Sequence, residues 1–134
     1  KFSKISTISK KTELFHKMLT SKGFANKSVE ISPQHGFMFK SDNGDIIDGY
    51  KLSSGEQNEI IMLYHLIYEV PDQGLLLIDE PENSLHVAWQ KTIVDDMKEI
   101  ADIKRLQIII ATHSPSIVSK GFSMTKDLYY LTNK

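Results

Sequence analysis

Four consecutive large apolar residues, Leu75-Leu76-Leu77-Ile78, run straight into Asp79, Glu80 and Pro81. A short unbroken apolar run that ends in turn residues predicts a strand buried on both faces of a parallel sheet; a half-exposed strand would alternate. Its charged pair then arrives at the carboxyl end of that sheet. Open α/β sheets bind ligands along that edge, and two acids there are costly unless they meet a metal, a ligand or hydrogen-bond donors. A second apolar strand, Leu106–Ala111, leads in the same way into Thr112-His113-Ser114-Pro115. Between the two, Ser84 can cap a helix from about Leu85 to Ile103, with Trp89, Ile93, Met97 and Ile100 on its sheet-facing side. Two parallel strands joined by a right-handed helical crossover put Asp79, Glu80 and His113 on one edge.

Upstream, Leu52-Ser53-Ser54-Gly55-Glu56-Gln57 stands just before a helical pattern with Ile60, Leu63, Tyr64, Ile67 and Tyr68 at three-four spacing. The start of a helix offers unpaired amides and the positive end of its dipole, a ready place for phosphate. The same residues also read as ordinary helix chemistry, with Ser53 as the cap and Glu56 and Gln57 in the first turn. The two readings are compatible.

In order along the chain, these segments resemble the signature, Walker B, D-loop and switch-histidine motifs of the second half of an ABC-type ATPase domain. The resemblance is strongest from Tyr50 to Val118. Asp-Glu-Pro-Glu-Asn-Ser-Leu-His, Asp79 to His86, is closer to the soluble RecF, SMC-like and overcoming-lysogenization-defect groups than to transporters, which carry Asp-Glu-Pro-Thr-Ser-Ala-Leu-Asp. The fold this implies is α/β, part of a P-loop NTPase sheet flanked by helices, with a small β-hairpin region before it. Residues 1–49 would form the helix and hairpin, and residues 50–134 the C-terminal half of the ATPase domain.

The resemblance also implies roles. Asp79 would hold Mg²⁺ through water, Glu80 would orient or deprotonate the attacking water, and His113 would contact the γ-phosphate. Ser53, Ser54, Gly55 and Glu56 would face the ATP held by a second subunit of a head-to-tail homodimer, Ser53 giving its hydroxyl and Gly55 its amide. Two positions depart from the usual Leu-Ser-Gly-Gly-Gln: Ser54 stands for a glycine and Glu56 for a glutamine. A carboxylate beside a triphosphate must point away or meet something positive. DNA repair and defence against phage are the business of the resembled groups, with DNA or a nuclease as partners.

One part of such an enzyme is absent. None of the seven glycines precedes a Lys-Ser or Lys-Thr pair in the spacing of a phosphate-cradling loop. The expectation is therefore the C-terminal part of a longer ATPase, with negligible activity on its own. Two other readings stay open: an interaction or regulatory module with degenerate nucleotide motifs, and the nucleotide-binding subunit of a transporter, which Glu82, His86 and Asn58-Glu59 disfavour.

Before the signature, Thr12 can cap a helix from Glu13 to about Thr20, burying Leu14, Phe15, Met18 and Leu19, with His16 at the boundary. Val29 and Ile31, then Phe37 and Phe39, alternate with polar residues, and Asp42-Asn43-Gly44 predicts the turn into Ile46-Ile47. Asp127 to Leu131 reads as a final strand. A net charge of −1 predicts no overall polyanion-binding surface, and the lack of cysteine excludes disulfides and thiolate metal sites. His86 and His113 have no third ligand at zinc spacing. No apolar run approaches the roughly 20 residues of a membrane span. A cytoplasmic protein is the default expectation.

Overall fold

The computed structural model describes residues 2–21, 27–32, 34–85 and 87–128. Helix α1, Phe2–Ser21, is followed by strands β1, Lys27–Ser32, β2, Gly36–Ser41, and β3, Ile46–Ile47. Helix α2, Ser54–Tyr64, continues into a π turn, His65–Glu69. Strand β4, Leu75–Asp79, is followed by a 3-10 turn, Pro81–Ser84, helices α3, Val87–Gln90, and α4, Ile93–Lys104, strand β5, Gln107–Ala111, and helix α5, Pro115–Lys120.

Helix α1 starts about ten residues earlier than the stripe from Leu14 to Leu19 predicts. No glycine or proline interrupts Phe2–Ser21, and Ser9 bonds Glu13 one turn on at 3.0 Å, so nothing stops the helix from extending backwards. The predicted stripe is its buried side: Leu14, Phe15, Met18 and Leu19 are all at most 3% exposed. His16 sits at the boundary and meets the carbonyl of Val29 at 3.0 Å, tying α1 to β1.

The three short strands form the expected antiparallel sheet in the order β1-β2-β3, with Val29 opposite Phe39. Gly44 takes φ 87° in the turn before β3, where an L side chain would be strained. Phe37 projects onto α1, its ring centroid 4.6 Å from that of Phe15 in an edge-to-face contact. Tyr64 and Tyr68 extend this aromatic cluster towards α2.

Strands β4 and β5 are parallel, with Asp79 opposite Ala111, as the two apolar runs predict. Burial on both faces does not hold. Leu75, Leu77 and Ile109 are each more than half exposed, whereas the alternating Leu76, Ile78, Ile108 and Ile110 pack against the core. Among the described residues this sheet has two strands and one covered face, so its continuous apolar sequence serves only one side.

The crossover also differs. The predicted single helix is broken at Lys91–Thr92, where both the amide and the hydroxyl of Thr92 turn back to the carbonyl of Trp89. The buried stripe survives the break: Trp89, Ile93, Met97 and Ile100 are all at most 3% exposed. One further member of that stripe is unexpected. Lys104 is 1% exposed, and its ammonium donates to the carbonyls of Leu66 and Ile67 at 2.7 and 2.8 Å and of Val70 at 2.5 Å. It thus caps the end of the α2 helix and its π turn, whose last carbonyls lack partners within the helix. Burial, then the charge of Lys11, holds this ammonium below the usual lysine range, with Asp72 opposing.

Ser114 and Pro115 open α5 in cap-then-first-residue order, as expected. The predicted final strand is not seen in its described part: Leu128 is helical, and Tyr129 to Leu131 lie outside the described residues. No helix among the described residues is long and apolar enough to cross a membrane.

Candidate active site

The carboxyl edge of β4 and β5 gathers Asp79, Glu80 and His113. The ladder runs one residue past β4, since the Glu80 amide still donates to the carbonyl of Ala111 at 2.8 Å. Glu80 itself turns left-handed, φ 43° and ψ 54°, a conformation that costs a non-glycine residue about 1–3 kcal/mol. The turn swings its carboxylate towards β5, where Oε1 lies 3.8 Å from Nε2 of His113. The other oxygen, Oε2, accepts from the Asn83 side chain at 2.7 Å. The His113 ring is 93% exposed, and Glu80 is nearly half exposed. Asp79 is exposed and its carboxylate has no hydrogen bond or ion pair among the described residues.

These groups fit a hard cation better than they fit a closed cage. No cluster of three or more His, Cys, Asp or Glu among the described residues could hold a metal alone. Mg²⁺ commonly takes one or two carboxylates and completes its shell with water and phosphate oxygens. A free, exposed Asp79 suits that role. His86 of the considered His86–His113 pair lies outside the described residues.

A short tether stands behind His113. Glu82, in the turn after Glu80, accepts through one carboxylate oxygen from the Thr112 hydroxyl at 2.6 Å and the His113 amide at 2.9 Å. Burial works against ionisation of Glu82, but these donors outweigh it and hold the carboxyl below the usual glutamate range. The Thr112 hydroxyl in turn accepts from the Ser114 amide at 3.0 Å. The sequence reading used Glu82 only against a transporter and gave it no role in the site. The available signal was a third acid directly after the Asp-Glu-Pro turn.

The signature segment lies on a different element. Ser53 caps α2 with a full capping box: its hydroxyl accepts from the Glu56 amide at 3.3 Å, and its amide donates to Glu56 Oε2 at 2.7 Å. Among the described residues, the amides of Ser54 and Gly55 and the Ser53 hydroxyl proton find no acceptor. Glu56 is not left facing outwards. Its second oxygen receives Lys27 from β1 at 2.8 Å, which meets the requirement that this carboxylate find a positive partner. Lys27 could not be foreseen, because it lies 29 residues away in sequence. Gln57 braces the preceding loop by donating to the carbonyls of Gly49 and Leu52. Helix α2 packs beside the Pro81–Ser84 turn, yet Ser53 bonds Glu56, whereas Glu80 faces Asn83 and His113.

Comparison with known proteins places the chain in a family. The Septu protein PtuA of Bacillus thuringiensis is 32% identical over 113 residues, covering 72% of this chain and 28% of its own length. The retron Ec83 probable ATPase of Escherichia coli is 26% identical over 106 residues, covering 71% of this chain and 19% of its own. The chain thus spans less than a third of the length of these curated relatives. Among solved structures, an Smc head bound to the C-winged helix domain of ScpA superimposes with a TM-score of 0.51 at 20% identity, over 81% of this chain and 36% of that one. That likeness shows the fold, a P-loop NTPase of the SMC-head kind. Residues 5–119 match the family described as "AAA domain, putative AbiEii toxin, Type IV TA system". The chain belongs to this family of AAA-type ATPase domains.

Proposed function

We propose that this chain carries the signature, Walker B and switch-histidine half of an ABC-type ATPase whose full-length parent hydrolyses ATP with Mg²⁺ at a head-to-tail homodimer interface. The observation that carries the reading is the meeting of Glu80 and His113, 3.8 Å apart, beside Asp79 on one sheet edge, whose carboxylate has no partner among the described residues. Asp79 would hold the cation. Glu80 accepts the proton of the attacking water, and its hydrogen bond from Asn83 fixes the carboxylate for that task. His113, exposed and adjacent, orients the same water or donates to a phosphate oxygen. Bound Mg²⁺ would neutralise charge on the β- and γ-phosphate oxygens.

The amides of Ser54 and Gly55, without acceptors among the described residues, and the Ser53 hydroxyl suit the γ-phosphate of a partner subunit's nucleotide. Glu56 supports them from behind, its charge taken up by Lys27. The phosphate-cradling loop itself is supplied by other residues of the parent, since no Gly-rich Lys-Ser/Thr segment occurs in these 134 residues. DNA repair or defence against phage, acting on DNA or through a partner nuclease, is the setting the motifs favour.

This reading makes the isolated chain a very poor ATPase, and steady-state hydrolysis by the purified 134 residues tests it. No turnover above background is expected. Hydrolysis at a rate comparable to intact ABC-type ATPases would contradict the assignment.

A further inference from the structure

We infer that Glu82 is a positioning residue that sets His113 from the turn after Walker B, an inference that rests on the reading above. The His113 ring is almost fully exposed, so packing does not aim it; its direction comes from its backbone. That backbone is held by one carboxylate. Glu82 Oε1 takes the Thr112 hydroxyl at 2.6 Å and the His113 amide at 2.9 Å, and the same hydroxyl takes the Ser114 amide at 3.0 Å. Three successive residues, Thr112 to Ser114, are thereby tied to one side chain.

The turn that carries Glu82 is itself fixed. Its main-chain oxygen accepts from the Gln90 side chain at 3.2 Å and from the Leu85 amide at 3.3 Å. Asn83, the next residue, holds the Glu80 carboxylate. Adjacent residues of a single four-residue turn therefore position both members of the Glu80–His113 pair, one through a side-chain amide and the other through a carboxylate. Charge-assisted bonds to an amide and a hydroxyl are the strong kind, and this carboxyl stays ionised well below neutral pH. A shift of the Pro81–Ser84 turn, which packs beside α2, is passed directly to His113. The turn thus links the signature helix to the switch histidine within one chain.

A loop staple that only stabilises the fold would lower the melting temperature and leave turnover by the folded protein intact. A positioning residue acts through His113, and a double-mutant cycle in the full-length parent separates the two. Glu82→Ala should lower kcat about 10- to 100-fold with KM for ATP within about 2-fold, the size expected when a catalytic group is misplaced. In a His113→Ala background the same change should have no further effect. Thr112→Val, which removes one bond and is the milder variant should Glu82→Ala fold poorly, should follow the same pattern with a smaller drop. In nucleotide-free protein, amide exchange at residues 112–114 should accelerate in Glu82→Ala while residues 107–111 stay protected. An unchanged kcat, or an equal loss with and without His113, would overturn the inference. If wild-type parent fails to hydrolyse ATP, the functional reading fails instead; the exchange measurement then still decides whether Glu82 holds the His113 backbone.

Discussion

Lys27 of β1 places its ammonium 2.8 Å from Glu56, the residue that closes the capping box at the start of α2. Both side chains are mostly buried, so this is not a surface pair of negligible value. It explains how a carboxylate can stand where the usual signature has a neutral amide. Burial works against its ionisation, but Lys27 and the groups of Ser53 outweigh it and hold the carboxyl below the usual glutamate range. The small antiparallel sheet therefore supports the signature chemically as well as by packing.

Lys27→Met should then destabilise the chain by about 1–3 kcal/mol, because Glu56 loses its counter-charge while still part-buried. Adding Glu56→Gln should recover much of the loss, since the amide keeps an acceptor for the Ser53 amide without needing a cation. Urea unfolding of the two variants is the check. If Glu56→Gln gives no relief, Lys27 matters for packing and not for charge.

Acid should weaken the fold in a defined window. Glu56, Asp72 and Glu82 are all held below their ordinary values; at each, burial opposes the shift and hydrogen-bonded donors prevail. Their unfolded forms bind protons first, so the stability they contribute is complete above the unfolded pKa of about 4. It is lost as pH falls further, through the folded pKa values. Urea midpoints should fall from pH 5 towards pH 3, and less steeply in Glu82→Gln. A flat or rising profile across that range would contradict the assigned partners.

Lys104 closes the end of the helix that begins at the signature. Replacement by methionine keeps the buried stem but strands the carbonyls of Leu66, Ile67 and Val70. A loss of roughly 2–5 kcal/mol is expected, beyond that of an ordinary surface lysine. Thermal melting measures it. A change under about 0.5 kcal/mol would mean that other donors reach these carbonyls.

Much of this arrangement was legible in the sequence, and the gaps have physical causes. Abrupt acids after an apolar run located β4, and three-four spacing located α2, because both signals are local to the chain. The exposed face with Leu75, Leu77 and Ile109 was not legible. An apolar run is the same whether or not its second neighbour is present. The break at Thr92 depends on a hydroxyl returning to its own helix, which periodicity does not register. Glu82 and Lys104 gain their meaning from partners 30 to 38 residues away. Lys104 did leave a trace: it continues the buried Met97 and Ile100 spacing, where an apolar residue would be expected.

The most direct test of the central claim, that Glu80 is the catalytic carboxylate, is single-turnover ATP hydrolysis by Glu80→Gln in the full-length parent, measured beside nucleotide-dependent dimerisation. Glutamine keeps an oxygen for Asn83 and leaves Asp79 untouched, so the sheet edge keeps its shape and loses only its base. The account predicts hydrolysis slowed by about 100-fold or more, within the range for loss of a general base, and a dimer trapped with ATP. Undiminished hydrolysis in this variant, with dimers that open as fast as wild type, would contradict it.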